Sequence, residues 1–118
     1  MSRRLLILPF ALVALVLAVS ASAAPKKLTG TVGPGFTIVL KDAKGKSVKT
    51  LKPGKYTLIV KDKSPIHDFH IKGPGLDKVV TTVTFMGTKT VTVTLKKGTY
   101  TYVCDPHLTT MHGKVTVK

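Results

Sequence analysis

Apolar and polar side chains alternate with a period of two along most of this chain beyond residue 35. Phe36, Ile38 and Leu40 share one face of Phe36-Thr37-Ile38-Val39-Leu40, and Tyr56, Leu58 and Val60 share one face of Tyr56-Thr57-Leu58-Ile59-Val60. Val91-Thr92-Val93-Thr94-Leu95 alternates without a fault, and Lys114-Val115-Thr116-Val117 closes the chain in the same rhythm. Successive strand side chains point to opposite faces, so each run predicts a half-buried strand. Turn signals separate the runs: Gly33-Pro34-Gly35, Lys44-Gly45-Lys46, Lys52-Pro53-Gly54, Gly73-Pro74-Gly75 and Lys96-Lys97-Gly98. Their spacing suits antiparallel strands. Seven or eight short strands of this kind pack as an all-β, two-sheet Greek-key sandwich. No segment after the first 23 residues carries a long apolar stripe at helical period, and no internal repeat is present.

The first 23 residues follow a different rule. Arg3 and Arg4 precede Leu5 to Val19, which is almost wholly apolar, and Ala21-Ser22-Ala23 fits the small-residue pattern of a cleavage site. Residues 1–23 are therefore expected to be a secretory signal, removed before Ala24, with retention as an anchor the lesser alternative. The apolar run is short for a membrane span, which needs about 20 residues. Residues 24–118 then form one small domain. The protein is expected to work outside the cytoplasm, periplasmic or secreted, as a monomer.

Charge narrows the partners. Apart from Arg3 and Arg4 all 19 basic residues are lysines, facing five aspartates and no glutamate, so the formal charge falls from +14 to +12 without the first segment. Such a field speeds encounter with acidic proteins, anionic membranes or cell-wall polyanions. The lysines are dispersed along the sequence, which also fits plain solubility and the blunting of sheet edges. With no arginine after residue 4 and no recognition motif, nucleic acid is not an expected partner.

Cys104 is the only cysteine, so the exported domain has no internal disulfide. It stands in Tyr102-Val103-Cys104-Asp105-Pro106-His107-Leu108-Thr109-Thr110-Met111, where a thiolate, an imidazole and a thioether fall within eight residues. Alternation puts Tyr100, Tyr102 and Cys104 on one face. In Ser64-Pro65-Ile66-His67-Asp68-Phe69-His70-Ile71 it puts His67 with Phe69 and Ile71, which selects His67 over His70 as an inward ligand unless a bulge flips the register. Asp105-Pro106 forces a tight turn that folds His107 back toward Cys104. Two imidazoles and a thiolate with a weak thioether, His67, Cys104, His107 and Met111, are the donors of a type 1, or blue, copper centre.

These residues carry a resemblance. Gly98-Thr99-Tyr100-Thr101-Tyr102-Val103-Cys104-Asp105-Pro106-His107, then Met111 and Gly113-Lys114-Val115-Thr116-Val117, resembles the C-terminal signature of the cupredoxins, the plastocyanin-like blue copper proteins, with His67-Asp68 at the place of the upstream His-Asn. The resemblance implies the same four ligands, one copper ion and an electron port at the second histidine, His107. Pro106, Leu108, Pro34 and Pro65-Ile66 would then form an apolar rim where a partner docks. Asp68 departs from the family's asparagine, and only three residues separate His107 from Met111. His112 is expected to be an exposed loop residue and Met86 to serve packing.

The resulting expectation is a one-electron carrier between redox partner proteins, not an enzyme. Two other classes remain at this level: a carrier or buffer of copper ions, which the absence of a methionine-rich tract disfavours, and a metal-free basic sandwich binding polyanions. Lysines clustered on one sheet face would favour the last.

Overall fold

A computed structural model describes residues 7, 9–17 and 24–118. Arg3, Arg4 and the Ala21-Ser22-Ala23 pattern, on which the expected signal and its cleavage rest, lie outside the described residues. Residues 9–17 have no regular secondary structure and are exposed. Among the described residues no helix is long and apolar enough to cross a membrane.

Among the described residues nine strands form two packed sheets. In chain order they are β1 (Lys26–Val32), β2 (Ile38–Asp42), β3 (Thr50–Leu51), β4 (Gly54–Asp62), β5 (Phe69–Gly73), β6 (Leu76–Thr81), β7 (Gly87–Leu95), β8 (Gly98–Val103) and β9 (His112–Val117). One sheet has the order β2-β1-β4-β7 and the other β3-β9-β8-β5-β6. The sandwich is as the alternation predicts, with one more strand than expected, the two-residue β3. The pairing is not purely antiparallel: β1 runs parallel to β4, and β3 parallel to β9. Both parallel pairs join strands distant in sequence, so turn spacing carries no trace of them.

The inward faces are those that the period of two selects. Tyr56, Leu58 and Val60 of β4, Val93 and Leu95 of β7, Tyr100 and Tyr102 of β8, and Val115 and Val117 of β9 are all buried. Each such side chain contributes about 1.5–3 kcal/mol by leaving water. Phe36 breaks the pattern. Gly33 takes φ +73°, and its N–H donates to Thr37 O at 2.9 Å. This closes a loop over residues 33–37, delays β2 until Ile38 and leaves Phe36 59% exposed at one pole of the sandwich. Met86, expected to pack, is also exposed, in the loop between β6 and β7.

Small residues let the sheets close. Gly30 of β1 faces Phe69 of β5, and a Cβ at Gly30 would stand 2.6 Å from Phe69 Cε2. Phe69 in turn stacks on Tyr102, ring centroids 6.0 Å apart and planes within 2°. This aromatic pair lies under the segment that carries His67.

Candidate metal centre

At the pole where β1 ends and β5 begins, two loops meet. The first runs from β4 to β5: Lys63 N–H donates to Val32 O, Ser64 N–H to Asp62 Oδ1 at 3.2 Å, and Ile66 N–H to Ser64 Oγ at 3.3 Å. These bonds fold the chain so that His67 enters the interior with no exposure. Gly33 lies against it, and a Cβ there would come within 3.2 Å of His67 Cδ2. The second loop follows β8. A 3-10 turn over Asp105–His107, with Pro106 in its first turn, brings His107 back over Cys104, and His107 N–H donates to Cys104 O at 3.0 Å. The neck of this loop is tied by Cys104 N–H to Met111 O, also 3.0 Å.

Three donor atoms converge. His67 Nδ1 and His107 Nδ1 are 3.1 Å apart, and Cys104 Sγ lies 3.7 and 3.6 Å from them. A point about 2.0 Å from all three exists within a triangle of these sides, which matches the length of a metal–imidazole bond. His67 turns Nδ1 toward the other two donors, while its Nε2 is buried without a hydrogen-bond partner among the described residues. Cys104 and Met111 are fully buried and His107 half-buried. Alternation thus places His67 inward as expected; a bulge does occur in the β5–β6 pairing, but it falls after Phe69 and leaves His67 inside.

The residues around the triangle were only partly legible. Phe36 meets both imidazoles edge-on, with centroids 5.4 Å from His67 and 5.0 Å from His107. Its strand-like neighbourhood hid this; the preceding Gly-Pro-Gly was the available signal. Asp68 is buried. Its N–H donates to Cys104 Sγ at 3.4 Å and its Oδ1 accepts Asp105 N–H at 2.6 Å, so the carboxylate itself ties the two loops. Burial, then the neighbouring Asp105 carboxyl, pushes Asp68 up to about 6. The Asp68 contact holds Asp105 below the usual carboxylate range, and burial pushes the Cys104 thiol up. His70 points away from the centre, as expected, and is clamped between carboxylates: its Nδ1 faces Asp105 at 2.9 Å and its Nε2 faces Asp77. His112 is exposed and donates from Nδ1 to Leu108 O at 2.8 Å.

Leu108 and Phe36 stand 53% and 59% exposed beside His107, Ile66 next to His67 is 50% exposed, and an open hollow of ≈ 710 Å³ lies between Phe36 and Asp105-Pro106-His107-Leu108. A sequence model of the cupredoxin-like domain matches residues 9–117. The chain belongs to the cupredoxin family. Among solved structures it is similar to the copper protein rusticyanin, at 25% identity over 82% of this chain and 80% of that one, with a TM-score of 0.56. Reduced rusticyanin gives 27% identity, 83% and 82% coverage and the same TM-score. Rusticyanin from Thiobacillus ferrooxidans gives 29% identity, 86% and 85% coverage and a TM-score of 0.51. No curated protein sequence matches. The cofactor of this cupredoxin is a single type 1 copper ion, and the buried imidazole and thiolate donors fit it. The protein is accordingly a blue copper protein of the electron-carrier kind.

Proposed function

We propose that the protein is an exported one-electron carrier, with His67 Nδ1, Cys104 Sγ and His107 Nδ1 as the three strong copper ligands and the Met111 thioether as the weak axial one. The observation that carries this reading is the closed, buried donor triangle. Bound copper would supply a site that accepts and releases one electron with little change in its surroundings. The chain's own part is to hold the donors still. Asp68 ties the two loops together, the Cys104–Met111 neck fixes the second, and Phe36 packs against both imidazoles.

Burial separates electron carriage from delivery of the ion. Met111, Cys104 and His67 present no surface to an incoming acceptor of copper, so release would require the loop to open. An electron needs no such opening. It enters and leaves through His107, whose hollow is lined by Phe36, Pro106 and Leu108 with Asp105, Thr109 and Thr110 and no lysine, and redox contacts of this type are small and transient. The partners are redox proteins that dock on this rim, acidic ones gaining in encounter rate from the net charge.

The test is the visible spectrum of the protein with copper(II), before and after ascorbate. An intense thiolate-to-copper band that bleaches on reduction is expected, lost in Cys104→Ser and His67→Ala and kept in His70→Ala. Loss in His70→Ala with retention in His67→Ala would overturn the ligand set, and copper retained without the band would favour ion carriage.

A further inference from the structure

The lysines that are scattered in sequence are gathered in space. The loops of the copper pole, residues 33–37, 63–68, 82–86 and 104–111, contain one lysine, Lys63. At the opposite pole lysines come in pairs, the β5–β6 turn Gly73-Pro74-Gly75 excepted. Lys26 and Lys27 open β1, Lys44 and Lys46 sit in the turn after β2, Lys52 and Lys55 flank Pro53-Gly54, and the β7–β8 turn adds another pair. All are exposed. Among the described residues the only salt bridges are those of His70, so no lysine of this pole is ion-paired, and the one carboxylate in its hollow, Asp42, stands among four lysines.

The pole is also shaped. Lys26, Lys27, Lys44 and Lys52 border a hollow of ≈ 480 Å³. Its carboxylate, Asp42, is engaged with Lys44 N–H and Lys46 N–H at 2.9 and 3.0 Å, and Tyr56 Oη donates to Lys52 O at 2.6 Å. An adjoining hollow of ≈ 360 Å³ shares Lys26 and Lys52 and is bordered by Lys55, Ala24 and Pro25. The chain that leads back to the apolar run Leu5 to Val19 leaves the domain here.

We propose that this lysine pole is a docking surface for the anionic headgroups of a phospholipid membrane, which turns the copper pole outward. Charge complementarity supplies the attraction, on the scale of a tenfold gain in partition for every one to two lysines near the surface. The membrane is favoured over a soluble polyanion because the apolar segment joins the domain at the same place. Kept, that segment would bring the pole to the bilayer; removed, it leaves a terminal ammonium at Ala24 beside Lys26. The inference goes beyond electron carriage and holds for the copper-free protein as well.

The test uses the chain from Ala24, so that the leader contributes nothing; every buried residue described lies between Leu28 and Val117. Partition is measured by sedimentation with vesicles of phosphatidylcholine, with and without about one-third phosphatidylglycerol, at low ionic strength where such charges are unscreened. Binding is expected only with phosphatidylglycerol. The quadruple variant Lys26→Gln, Lys27→Gln, Lys44→Gln, Lys52→Gln should lose roughly a thousandfold in partition. The control Lys61→Gln, Lys63→Gln, Lys78→Gln, Lys114→Gln, with equal net charge, should lose less than about tenfold. Equal losses in the two variants would overturn the proposal. So would equal binding to both vesicles, or tighter binding of soluble polyphosphate per phosphate group than of vesicles. In the copper-loaded protein, reduction by neutral hydroquinone should be as fast on vesicles as in solution; marked slowing would place the wrong pole against the membrane. Vesicle binding by copper-free protein tests the pole even where the blue band fails to appear.

Discussion

Gly30→Ala reaches the metal centre from the far sheet. An ideal Cβ on Gly30 would lie 2.6 Å from Phe69 Cε2 and 2.8 Å from Cζ, whereas ordinary contacts begin near 3.4 Å, so the ring or the strand must yield by most of an ångström. Phe69 has little room to do so. It is fully buried, stacked on Tyr102, and its N–H is held by Thr81 Oγ1 at 3.1 Å. Overpacking of this kind costs about 1–3 kcal/mol, while alanine in place of a strand glycine returns about 0.5–1 kcal/mol. With the approach this close, the net expected loss is about 1 kcal/mol and at most about 2.5 kcal/mol, measured by urea unfolding of the copper-free protein. Because Phe69 is two residues from His67, the blue band of the loaded protein should shift as well. Phe69→Leu removes the ring atoms in the way, so the double variant should be more stable than the sum of the two single losses by about 1 kcal/mol. Additive losses, or a cost for Gly30→Ala below about 0.5 kcal/mol, would refute the packing argument.

Three further outcomes follow from the same structure. Met111 is fully buried, so Met111→Ala should cost about 2–5 kcal/mol and the volume-conserving Met111→Leu under about 1.5 kcal/mol; an unchanged visible spectrum in the leucine variant would remove Met111 from the ligand set. Burial lowers the His70 pKa, but its bonds to Asp77 and Asp105 outweigh this and leave it above its ordinary value. That stabilisation is full below about pH 6.5, the unfolded value, and is lost as pH rises through the higher folded value; with exposed partners it is worth under about 1 kcal/mol, and the difference between the protein and His70→Gln in pH-dependent melting should show it. Leu108→Asp places a charge on the rim beside His107 and should slow electron self-exchange, followed by NMR line broadening, by roughly tenfold with the blue band intact, a penalty of about 1.4 kcal/mol at the contact; an unchanged rate would move the electron port elsewhere.

What the sequence discloses is local. Leu58, Val60, Val93 and Val115 could be assigned to the core because a strand turns its side chain over at every step, and the same rule separates His67 from His70. Cys104 and His107 could be joined because Asp105-Pro106 leaves the chain few ways to turn. The rest depends on contacts between distant segments. Asp68 is inside because Asp105 N–H, 37 residues on, needs its carboxylate. Phe36 belongs to the copper pole because a hydrogen bond across residues 33–37 ends the strand that its neighbours suggest. The lysines look dispersed because turns recur at intervals, and only the pairing of β1 with β4 and of β3 with β9 collects alternate turns on one side.

The hydrogen bond from Cys104 N–H to Met111 O closes the neck of the ligand loop, whose first turn is also tied through Asp105 to Asp68 and His70. Residues can be gained or lost between His107 and Met111 without disturbing β8, β9 or the thiolate at the neck. With Met111 as the proposed axial ligand, a change of loop length would alter how its thioether meets the copper, and with it the driving force of electron transfer, while the core stays as it is. A loop transplanted from another cupredoxin should bring its own redox behaviour with it.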